Sequence, residues 1–554
     1  MIKLTVCHHK VFIDASSSEL VSFKKYLKIY SPLFNPPPGH PPFELINLFY
    51  KEDKSFPTGY LGEVEKKLKK NAVSYEVFDT RRYPNAKINY RLEKDEEMWD
   101  NQDEAFEEIK KNPVGTVSSA TGTGKTRIIE ETINHRGLKT LVVVPYRLIQ
   151  NQMYKKFADD FGRKNVSIKM PKKGEALDVK DTITYKKIGG NVSDLYEKSE
   201  TKTNGRKLGS SYSVDVDETK PKMKLGSSYS KEFFDSDLSN EEKYLKDKKH
   251  EKKFVDFKEK QKLKQFSKKI KKKVPKGSNI TIVCFNSLPE ASQEFLDSIE
   301  CVIIDECHHS SAITIREALD RMPNAAYRYG FSATPWRDKN ADHKLLLSAL
   351  GDKIIYDLGG KEAVDRGIIA KPKYQVITSP TPDLFLQEDR NWRNIVEKGL
   401  IGNKTRNTSI INKAVDLFEN DHNVLICVDE IAHLEILASR FKQRGIDVLT
   451  IHGEQNHKLN DENIKKISAS TKGLISIGTM AVGEGTDMPN ISAIILASGG
   501  KASIRFLQRI GRGTRLTNGK NEVIVVDFED WFNPVLLKHF RERKRIFYKY
   551  FGDK

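Results

Sequence analysis

Ten short apolar runs, rich in valine and isoleucine, recur along two long stretches of this chain, and helical patterns separate them. In residues 114–335 the runs are VGTVSSA, TLVVVP, ITIVCF, CVIIDE and YGFSA. In residues 371–530 they are NVLICVD, VLTIHG, GLISIGT, AIILAS and EVIVVDF. Runs that are apolar at successive positions are typical of strands covered on both faces by helices. The sequence therefore predicts an α/β fold with two parallel-sheet domains.

Residues 1–95 differ from these stretches because strand-like and helix-like segments are mixed. The first 16 residues, MIKLTVCHHKVFIDAS, predict a strand and lack the small-residue cleavage site of a signal peptide, so we expect the chain to begin with folded structure. A proline-rich turn, NPPPGHPP, follows at 35–42, and a basic helix is predicted at 61–70. This part is expected to form a small α+β accessory domain.

The two larger domains are placed at 96–360 and 361–554, the second ending in a short basic helix. A polar, lysine-rich insertion at about 191–277 interrupts the first of them. It contains a duplicated heptapeptide, KLGSSYS, and carries roughly half of the net charge of +18. Two hypotheses stay open for the insertion: a nucleic-acid-binding arm, or a solvated segment whose composition cannot form a core.

The overall charge indicates a polyanionic partner, because 94 lysine and arginine residues outnumber 76 acidic ones. Nucleic acid is the leading partner class. No run approaches the roughly 18 apolar residues that a membrane-spanning helix needs, which argues against a membrane protein. Five cysteines without a CxxC pair argue against a disulfide framework or a zinc ribbon and favour a reducing cytoplasm.

The sharpest chemical motif is SATGTGKT, which follows a predicted strand and opens a predicted helix. Its glycines let the backbone wrap a phosphate, the helix N-terminus offers N–H groups, and its lysine and threonine can reach the phosphates and Mg²⁺. A strict phosphate-binding loop has glycine where this chain has Ser119. The nucleotide-binding residues predicted from the motif are Thr121, Gly122, Thr123, Gly124, Lys125 and Thr126.

A second motif, VIIDECHH, ends a predicted buried strand, and doubly wound folds place their ligands at the carboxyl ends of such strands. Asp305 can hold Mg²⁺ and Glu306 can polarise an attacking water, the two tasks that phosphoryl transfer to water requires. A zinc site at Cys307, His308 and His309 is disfavoured because no second Cys/His pair lies nearby. We expect Cys307 to be a small buried residue and His309 an ordinary polar neighbour.

Six motifs occur in an order that resembles the motif series of superfamily-two helicases and translocases. They are ATGTGKT (120–126), VVVPYRLIQNQ (142–152), DECH (305–308), SAT (332–334), EGTDMP (484–489) and QRIGRGTR (508–515). The resemblance covers residues 98–530 and depends on the order and spacing of the whole series. It implies two tandem RecA-like lobes, ATP and Mg²⁺ as cofactors, and hydrolysis coupled to movement along nucleic acid.

The resemblance also implies roles for single residues. Gln102 resembles the glutamine that reads adenine; the alternative is a solvated helical glutamine. The QRIGRGTR motif would reach from the second lobe toward the γ-phosphate, where an arginine can neutralise the charge that builds during transfer; the alternative is surface ion pairs. The implied catalytic set is Lys125, Asp305, Glu306, Gln508, Arg512 and Arg515.

Two further groups of residues carry over from the family motifs. His308, Ser332 and Thr334 would couple the nucleotide site to the nucleic-acid track. Gly485 and Asp487 would sense the nucleotide and hold the cleft between the lobes.

Movement would follow from closure of the lobes on nucleotide and reopening after hydrolysis. Contacts with the nucleic-acid backbone are predicted from the loops at 145–147, 286–287 and 479–480, whose side chains suit phosphate without reading sequence. The alternative for these polar residues is ordinary capping of strand and helix ends.

The residues of the DECH and SATPWR motifs, together with GGKEAVDRGIIAKPKYQ at 359–375, most resemble those of the group of XPB, restriction translocases and phage UvsW-like helicases. Residues 56–81 resemble the small DNA-binding domain of the UvsW-like helicases, which remodel branched DNA and displace RNA from R-loops. We therefore expect a monomeric cytoplasmic motor, encoded by a phage or mobile element, that acts on branched or duplex DNA and on RNA–DNA hybrids without sequence preference. The helix at 61–70 would contact DNA.

Three alternatives are weighed against this prediction. A motor subunit of a restriction or defence complex would need a nuclease or methylase partner, since no further catalytic domain is expected after the second lobe. An RNA helicase shares the motor, but DEAD would be expected at 305–308. A degenerate motor that only binds DNA is disfavoured because the catalytic lysine, acid pair and arginines are all present.

Overall fold

The computed structural model describes residues 1–32, 43–90, 97–170, 278–311, 313–335, 340–380, 388–471, 473–479, 488–501, 503–517 and 519–552. The strands within these ranges are β1 (Ile2–Val6), β2 (Lys10–Asp14), β3 (Lys28–Pro32), β4 (Phe43–Asn47), β5 (Ser55–Pro57), β6 (Tyr75–Asp79), β7 (Val114–Ser119), β8 (Thr140–Val144), β9 (Val166–Ser167), β10 (Ile280–Cys284), β11 (Cys301–Asp305), β12 (Tyr327–Ser332), β13 (Ile354–Leu358), β14 (Lys371–Thr378), β15 (Asn423–Cys427), β16 (Leu449–Ile451), β17 (Leu474–Gly478), β18 (Ala493–Leu496) and β19 (Glu522–Glu529).

The α-helices within the same ranges are α1 (Ser17–Lys24), α2 (Leu61–Lys70), α3 (Asp100–Lys111), α4 (Lys125–Arg136), α5 (Arg147–Asp160), α6 (Gln293–Asp297), α7 (Ile313–Asp320), α8 (Asn340–Leu350), α9 (Gly360–Asp365), α10 (Trp392–Asn394), α11 (Lys404–Glu419), α12 (Ile431–Gln443), α13 (His457–Ala469), α14 (Ser503–Ile510) and α15 (Pro534–Phe551). A π-helical segment, Ile395–Ile401, continues α10. Short 3₁₀ turns span Lys25–Leu27, Thr58–Tyr60, Phe285–Glu290 and Cys307–Ser311.

The N-terminal part is built on a small sheet in which four described strands lie in the order β5-β2-β1-β6. Strands β1 and β6 run parallel, and the other pairs run antiparallel. Helix α2 turns Val64 and Leu68 into the apolar core of this part, as their spacing of four residues predicts. Its exposed lysines, Lys66, Lys69 and Lys70, point to solvent.

The single strand predicted for the first 16 residues is wrong, because the chain forms the antiparallel hairpin of β1 and β2. The main-chain N–H of Cys7 donates to the Lys10 oxygen at 2.9 Å and closes the turn around the two histidines. Both strands bury alternate side chains, including Leu4 and Val11. The polar pair that interrupts the apolar pattern therefore marks a turn.

The first large sheet contains seven of the described strands, in the order β13-β7-β12-β11-β8-β10-β9, with all pairs parallel. Its central strands are apolar at successive positions; Val302, Ile303 and Ile304 are fully buried. Helices must cover both faces of such strands. Because β7, β12 and β11 are parallel neighbours, their carboxyl ends lie at one edge of the sheet. The phosphate loop, the acid pair and the SAT motif follow these three strands.

The second large sheet repeats the first. Its six described strands lie in the order β14-β19-β18-β15-β17-β16, all parallel. Numbered from its own first strand, each sheet has the order 1-6-5-2-4-3, and the first sheet adds β13 beside its strand 1. The predicted fold class, two tandem RecA-like lobes preceded by a small α+β part, is thus confirmed.

All ten apolar runs quoted above form strands. In the two large sheets the predictions missed β9, β13 and β14; the last alternates polar and apolar residues along KPKYQVIT and is mostly exposed at the sheet edge. The predicted helix at 61–70 matches α2. The turn at 35–42 and the insertion at 191–277, with its repeated heptapeptide, lie outside the described residues. None of the helices in the described ranges has the length and apolar content needed to cross a membrane.

Candidate nucleotide-binding and hydrolysis site

The phosphate loop connects β7 to the N-terminus of α4. Gly124 caps this helix with φ +81°, a conformation that glycine adopts without the steric cost of a side chain. A Cβ added there would lie 2.1 Å from the Gln102 side-chain nitrogen, so the position has no room for one. Ser119 Oγ and Thr123 Oγ1 lie 2.6 Å apart across the loop. Ser119, where a strict motif has glycine, therefore ties the loop to the strand that precedes it.

Gln102 contacts the phosphate loop from helix α3. Its side-chain nitrogen donates to the Thr123 oxygen at 3.2 Å, and its side-chain oxygen accepts from the Trp99 N–H at 3.1 Å. The residue is 3% exposed, so it is no solvated helical glutamine. Its neighbour Asn101 donates to the same Thr123 oxygen at 3.2 Å, a loop contact that sequence reasoning missed. Adenine reading by Gln102 stays a prediction.

Lys125 lies inside the curve of the loop. Its Nζ donates to the main-chain oxygens of Ser119 and Ala120 at 3.1 and 3.3 Å. Burial lowers the pKa of Lys125, while the nearby carboxylates Asp305 and Glu306 act in the opposite direction. A buried ammonium beside two carboxylates at a helix N-terminus suits a phosphate ligand.

The acid pair ends strand β11 and turns sharply. Glu306 has φ +49°, a left-handed conformation that is uncommon for residues other than glycine. Its N–H donates to Asp305 Oδ1 at 3.0 Å, which compensates part of the strain. Backbone strain at a site of this kind is typical of functional positions. The left-handed turn thus follows directly after the residue that ends the strand.

Glu306 is held by two residues that the family resemblance singles out. Ser332 Oγ donates to Glu306 Oε2 at 3.4 Å. His308 Nδ1 lies 3.3 Å from the same oxygen and 3.1 Å from Ser332 Oγ. Ser332 Oγ also accepts from the Thr334 N–H at 3.2 Å. The DECH and SAT motifs therefore form one hydrogen-bonded group around a single carboxylate oxygen.

The pKa values of the two carboxyl groups are shifted in opposite directions. Burial, together with the charge of Glu306, raises the pKa of Asp305, against the opposing effects of Lys125 and Arg512. Burial also acts to raise the pKa of Glu306, but the hydrogen bond with His308 and the charge of Lys125 prevail and lower it. Glu306 is therefore ionised at neutral pH and can accept a hydrogen bond from a water molecule.

The QRIGRGTR motif of the second lobe lies directly on the phosphate loop. Thr514 Oγ1 donates to the Thr121 oxygen at 3.3 Å. A Cβ added to Gly511 would lie 2.4 Å from the Thr121 Cβ, so only glycine fits this approach. A Cβ added to Gly122 would lie 3.5 Å from the Arg515 side chain. Arg512 lies close enough to lower the pKa of both acid-pair residues.

The structure thus brings together most of the predicted site, though the individual roles stay predictions. Gln508 is 4% exposed, and no hydrogen-bond partner is found for its side-chain oxygen within the described residues. Gly485 and Asp487 lie outside the described residues. Sequence reasoning also missed Tyr550, whose hydroxyl donates to the Ala333 oxygen of the SAT motif at 3.4 Å. No local pattern signals a contact across 217 residues.

Cys307 is fully buried, as expected, and packs against Gly330. Within the described ranges, no group of three or more histidine, cysteine, aspartate or glutamate residues is arranged to hold a metal ion. Mg²⁺ differs from zinc in keeping several waters and binding through one or two carboxylates plus substrate phosphates. Asp305 and Thr126 offer oxygen ligands of this kind, so the residues fit Mg²⁺ with ATP.

Two of the predicted backbone-contact loops follow the carboxyl ends of β8 and β10 in the first lobe. Tyr146 and Arg147, after β8, are exposed, as is Asn286 after β10. Ser287 donates its hydroxyl to the Cys284 oxygen at 2.8 Å, a local cap of the kind considered as the alternative. Met480 lies outside the described residues.

Two family models match the chain. The model described as "Type III restriction enzyme, res subunit" matches residues 93–219 and 223–337, and the model described as "Helicase conserved C-terminal domain" matches residues 408–517. The matched ranges contain the described strands of the first sheet from β7 to β12 and of the second from β15 to β18.

Several curated proteins are similar to this chain over part of their length. A putative ATP-dependent helicase of Saccharomyces cerevisiae is 30% identical over 42% of this chain and 34% of its own. A putative helicase of a Sulfolobus islandicus filamentous virus is 28% identical over 43% of this chain and 44% of its own. The ATP-dependent DNA helicase UvsW of phage T4 is 22% identical over 45% of this chain and 50% of its own. The chain thus spans between a third and a half of these relatives. The crystal structure of T4 UvsW aligns over 99% of this chain and 97% of its own, with 16% identity and a TM-score of 0.37.

Proposed function

Because this chain carries both motor domains of a superfamily-two helicase, we propose that it is an ATP-driven DNA helicase or translocase that moves on, and remodels, branched DNA. The observation that carries the proposal is the meeting of three motifs from two lobes at one place. Thr514 of the second lobe contacts the phosphate loop, and Arg512 lowers the pKa of Glu306. Hydrolysis at such a site depends on the position of the lobes, which is the requirement for a motor.

We propose the following division of tasks within the site. Lys125 and the N–H groups at the start of α4 hold the phosphates, while Asp305 and Thr126 hold Mg²⁺. Glu306, kept in place by His308 and Ser332, accepts a hydrogen bond from the attacking water and orients it. When bound, ATP with Mg²⁺ supplies the phosphoryl group that this water attacks.

The second lobe supplies the charge that completes the site. Arg512 lies near the two carboxylates and is placed to stabilise the negative charge that builds during transfer, an effect worth 10³ to 10⁵ in rate where it has been measured in GTPases. Loss of that charge after hydrolysis weakens the contact between the lobes. We propose that this opening and closing moves the protein along the nucleic-acid backbone.

DNA is proposed as the substrate on two grounds. The net charge of +18 suits a polyanion, and one similar protein bears the name of a DNA helicase. Branched DNA, with RNA in RNA–DNA hybrids as a further substrate, follows from the resemblance of residues 56–81 to the domain ahead of the motor in UvsW-like helicases. The exposed Lys66, Lys69 and Lys70 of α2 form a basic face there. We propose that this face binds DNA, and that the protein acts as a monomer in the cytoplasm.

The test is steady-state ATP hydrolysis by the pure protein with no polymer, single-stranded DNA, duplex DNA, a four-way junction and structured RNA. The greatest stimulation by the junction is the expected result. Stimulation mainly by RNA would assign the protein to RNA unwinding, and no stimulation by any polymer would favour a motor subunit that needs partner proteins. Lys125→Ala, prepared in parallel, must show no hydrolysis; activity in that preparation would reveal a contaminating ATPase.

A further inference from the structure

Four aromatic rings lie together at the carboxyl ends of neighbouring strands in the first lobe. Tyr146 follows β8, Phe285 follows β10, and His308 and His309 follow β11; these strands are adjacent in the order β11-β8-β10. We refer to these four residues as the aromatic cluster. It joins three loops at the edge that also carries the acid pair.

The rings form a continuous series of contacts. The centroids of Tyr146 and His309 lie 6.5 Å apart with their planes at 84°. His309 lies 5.5 Å from Phe285 and 4.3 Å from His308. Edge-to-face and tilted pairs at such distances attract one another. A displacement of the Tyr146 ring therefore changes the packing of His309 and, through it, of His308.

The two ends of the series differ in their surroundings. Tyr146 is 42% exposed and stands next to the exposed Arg147. His308 is 2% exposed, and its Nδ1 lies 3.3 Å from Glu306 Oε2. One end thus meets solvent beside a positive charge, while the other touches the carboxylate that orients the attacking water.

An exposed aromatic ring beside an arginine has the chemistry that binds an unpaired base together with its phosphate. Bases within a duplex are already stacked on their neighbours, so their faces are not available to such a ring. We infer that Tyr146 stacks one unpaired base of a nucleic-acid strand and that His309, as a positioning residue, passes the presence of this base to His308 and Glu306. The inference rests on the proposed function and adds a contact with one unpaired base by which the bound strand stimulates hydrolysis.

The first experiment separates stacking from packing. Tyr146→Leu keeps apolar bulk against His309 and removes the ring, whereas Tyr146→Phe keeps the ring as the matched control. Binding of a labelled single-stranded oligonucleotide is measured by fluorescence anisotropy, with an abasic oligonucleotide of the same length as the second ligand. The leucine variant is expected to bind the intact strand roughly 5- to 150-fold more weakly than the parent, since one base–aromatic stack contributes about 1–3 kcal/mol.

The abasic strand has no base to stack, so the parent and both variants should bind it alike, and the phenylalanine variant should match the parent on both ligands. An equal loss on both strands would show a change in fold or charge and would overturn the stacking role. Parent-like binding of the intact strand by the leucine variant would overturn it too.

The second experiment tests the positioning contact. His309→Leu should bind the intact strand as the parent does, yet show at least about tenfold less strand-stimulated turnover at saturating strand, a factor equal to 1.4 kcal/mol. His309→Phe, which keeps a ring between Tyr146 and His308, should restore most of the stimulation. Normal stimulation in the leucine variant would overturn the positioning role.

Different results would refute the proposed motor function and the role of the aromatic cluster. If no polymer stimulates the parent protein, the proposed motor function fails. If a single strand stimulates the parent and the Tyr146 and His309 variants respond as the parent does, the motor function stands and the aromatic cluster is packing alone.

Discussion

The hydroxyl of Thr514 donates to the main-chain oxygen of Thr121 at 3.3 Å and so joins the two lobes across 393 residues of sequence. Gly511 makes the closest approach beside it, since a Cβ there would lie 2.4 Å from the Thr121 Cβ. The catalytic motif of the second lobe therefore touches the loop that would bind phosphate, and anything that moves the lobes apart also dismantles the site.

Substitution of Gly511 by alanine should disrupt this contact. The added methyl group cannot fit against Thr121, so we expect at least about a tenfold loss of turnover, equal to 1.4 kcal/mol in the barrier, with little change in the urea unfolding midpoint. Gly359→Ala is the matched control, because a Cβ at Gly359 meets nothing within 4 Å. Parent-like turnover of the Gly511 variant would show that the contact is not needed during the cycle.

Substitution of Glu306 by glutamine should abolish most hydrolysis while nucleotide binding persists. The amide keeps the shape of the side chain but cannot accept a proton or orient water as a carboxylate does, and such a loss costs 10² to 10⁴ in rate. Turnover and the affinity for a fluorescent ATP analogue are measured on the same preparation. Glu317→Gln, on the exposed face of α7, is the control, and near-normal turnover in the Glu306 variant would refute the assignment.

Deletion of residues 191–277 should weaken DNA binding and flatten its dependence on salt. The segment carries about half of the net charge, and each phosphate contact that is lost removes about 0.9 from the slope of log K against log salt. Affinity for a duplex is measured across a salt titration, and ATP hydrolysis without polymer serves as the control for folding. An unchanged slope would favour the hypothesis that this segment is a solvated insertion that does not bind DNA.

Substitution of Arg406 by methionine should destabilise the second lobe. The guanidinium is fully buried and forms two hydrogen bonds with Asp530, at 2.8 and 3.1 Å. Removal of one partner leaves a buried charge uncompensated, which costs about 3–5 kcal/mol. Urea unfolding gives the change. Arg393→Met breaks the exposed pair with Glu397 and should cost at most about 1 kcal/mol; a similar cost for both would contradict the prediction.

Folding stability should depend on pH through Asp320, whose carboxyl group in the first lobe contacts the N-terminal part. Tyr50 donates to Asp320 there, and burial raises the pKa of Asp320 from 3.8 to about 6. As the pH rises, Asp320 loses its proton at a lower pH in the unfolded chain than in the folded protein. The stabilising contribution of this group is therefore fully present below pH 3.8 and falls by roughly 2–3 kcal/mol as the pH rises to about 6. Asp320→Asn has no such proton, so its unfolding free energy should rise relative to the parent between pH 4 and 7. A difference that does not change with pH would refute this.

The apolar runs predicted the sheets well because a strand buried on both faces must be apolar at successive positions. The same rule failed for β14, whose edge position leaves most of its residues exposed. It also failed to show the turn between β1 and β2, where two histidines mark a change of direction. Periodicity reports local burial, so it is weakest at sheet edges and in short hairpins.

The motifs of the site could also be predicted from the sequence, because phosphate binding and water activation need particular residue types at the ends of strands. Lys125, Asp305 and Glu306 were placed in this way. The contact of Gln102 with Thr123, the left-handed backbone of Glu306 and the hydrogen bond between His308 and Ser332 were not. These features depend on which strands are neighbours in the sheet, and that order is not written in any local pattern.

The sequence by itself determined the succession of strands and helices and the chemistry available at each strand end. Only the tertiary structure decided that Thr514 meets Thr121 and that Tyr146 lies in ring contact with the residue beside His308. Local patterns arise from the burial of each segment, whereas contacts between distant segments arise from the packing of whole sheets and lobes, which fixes their relative positions only when the chain has folded.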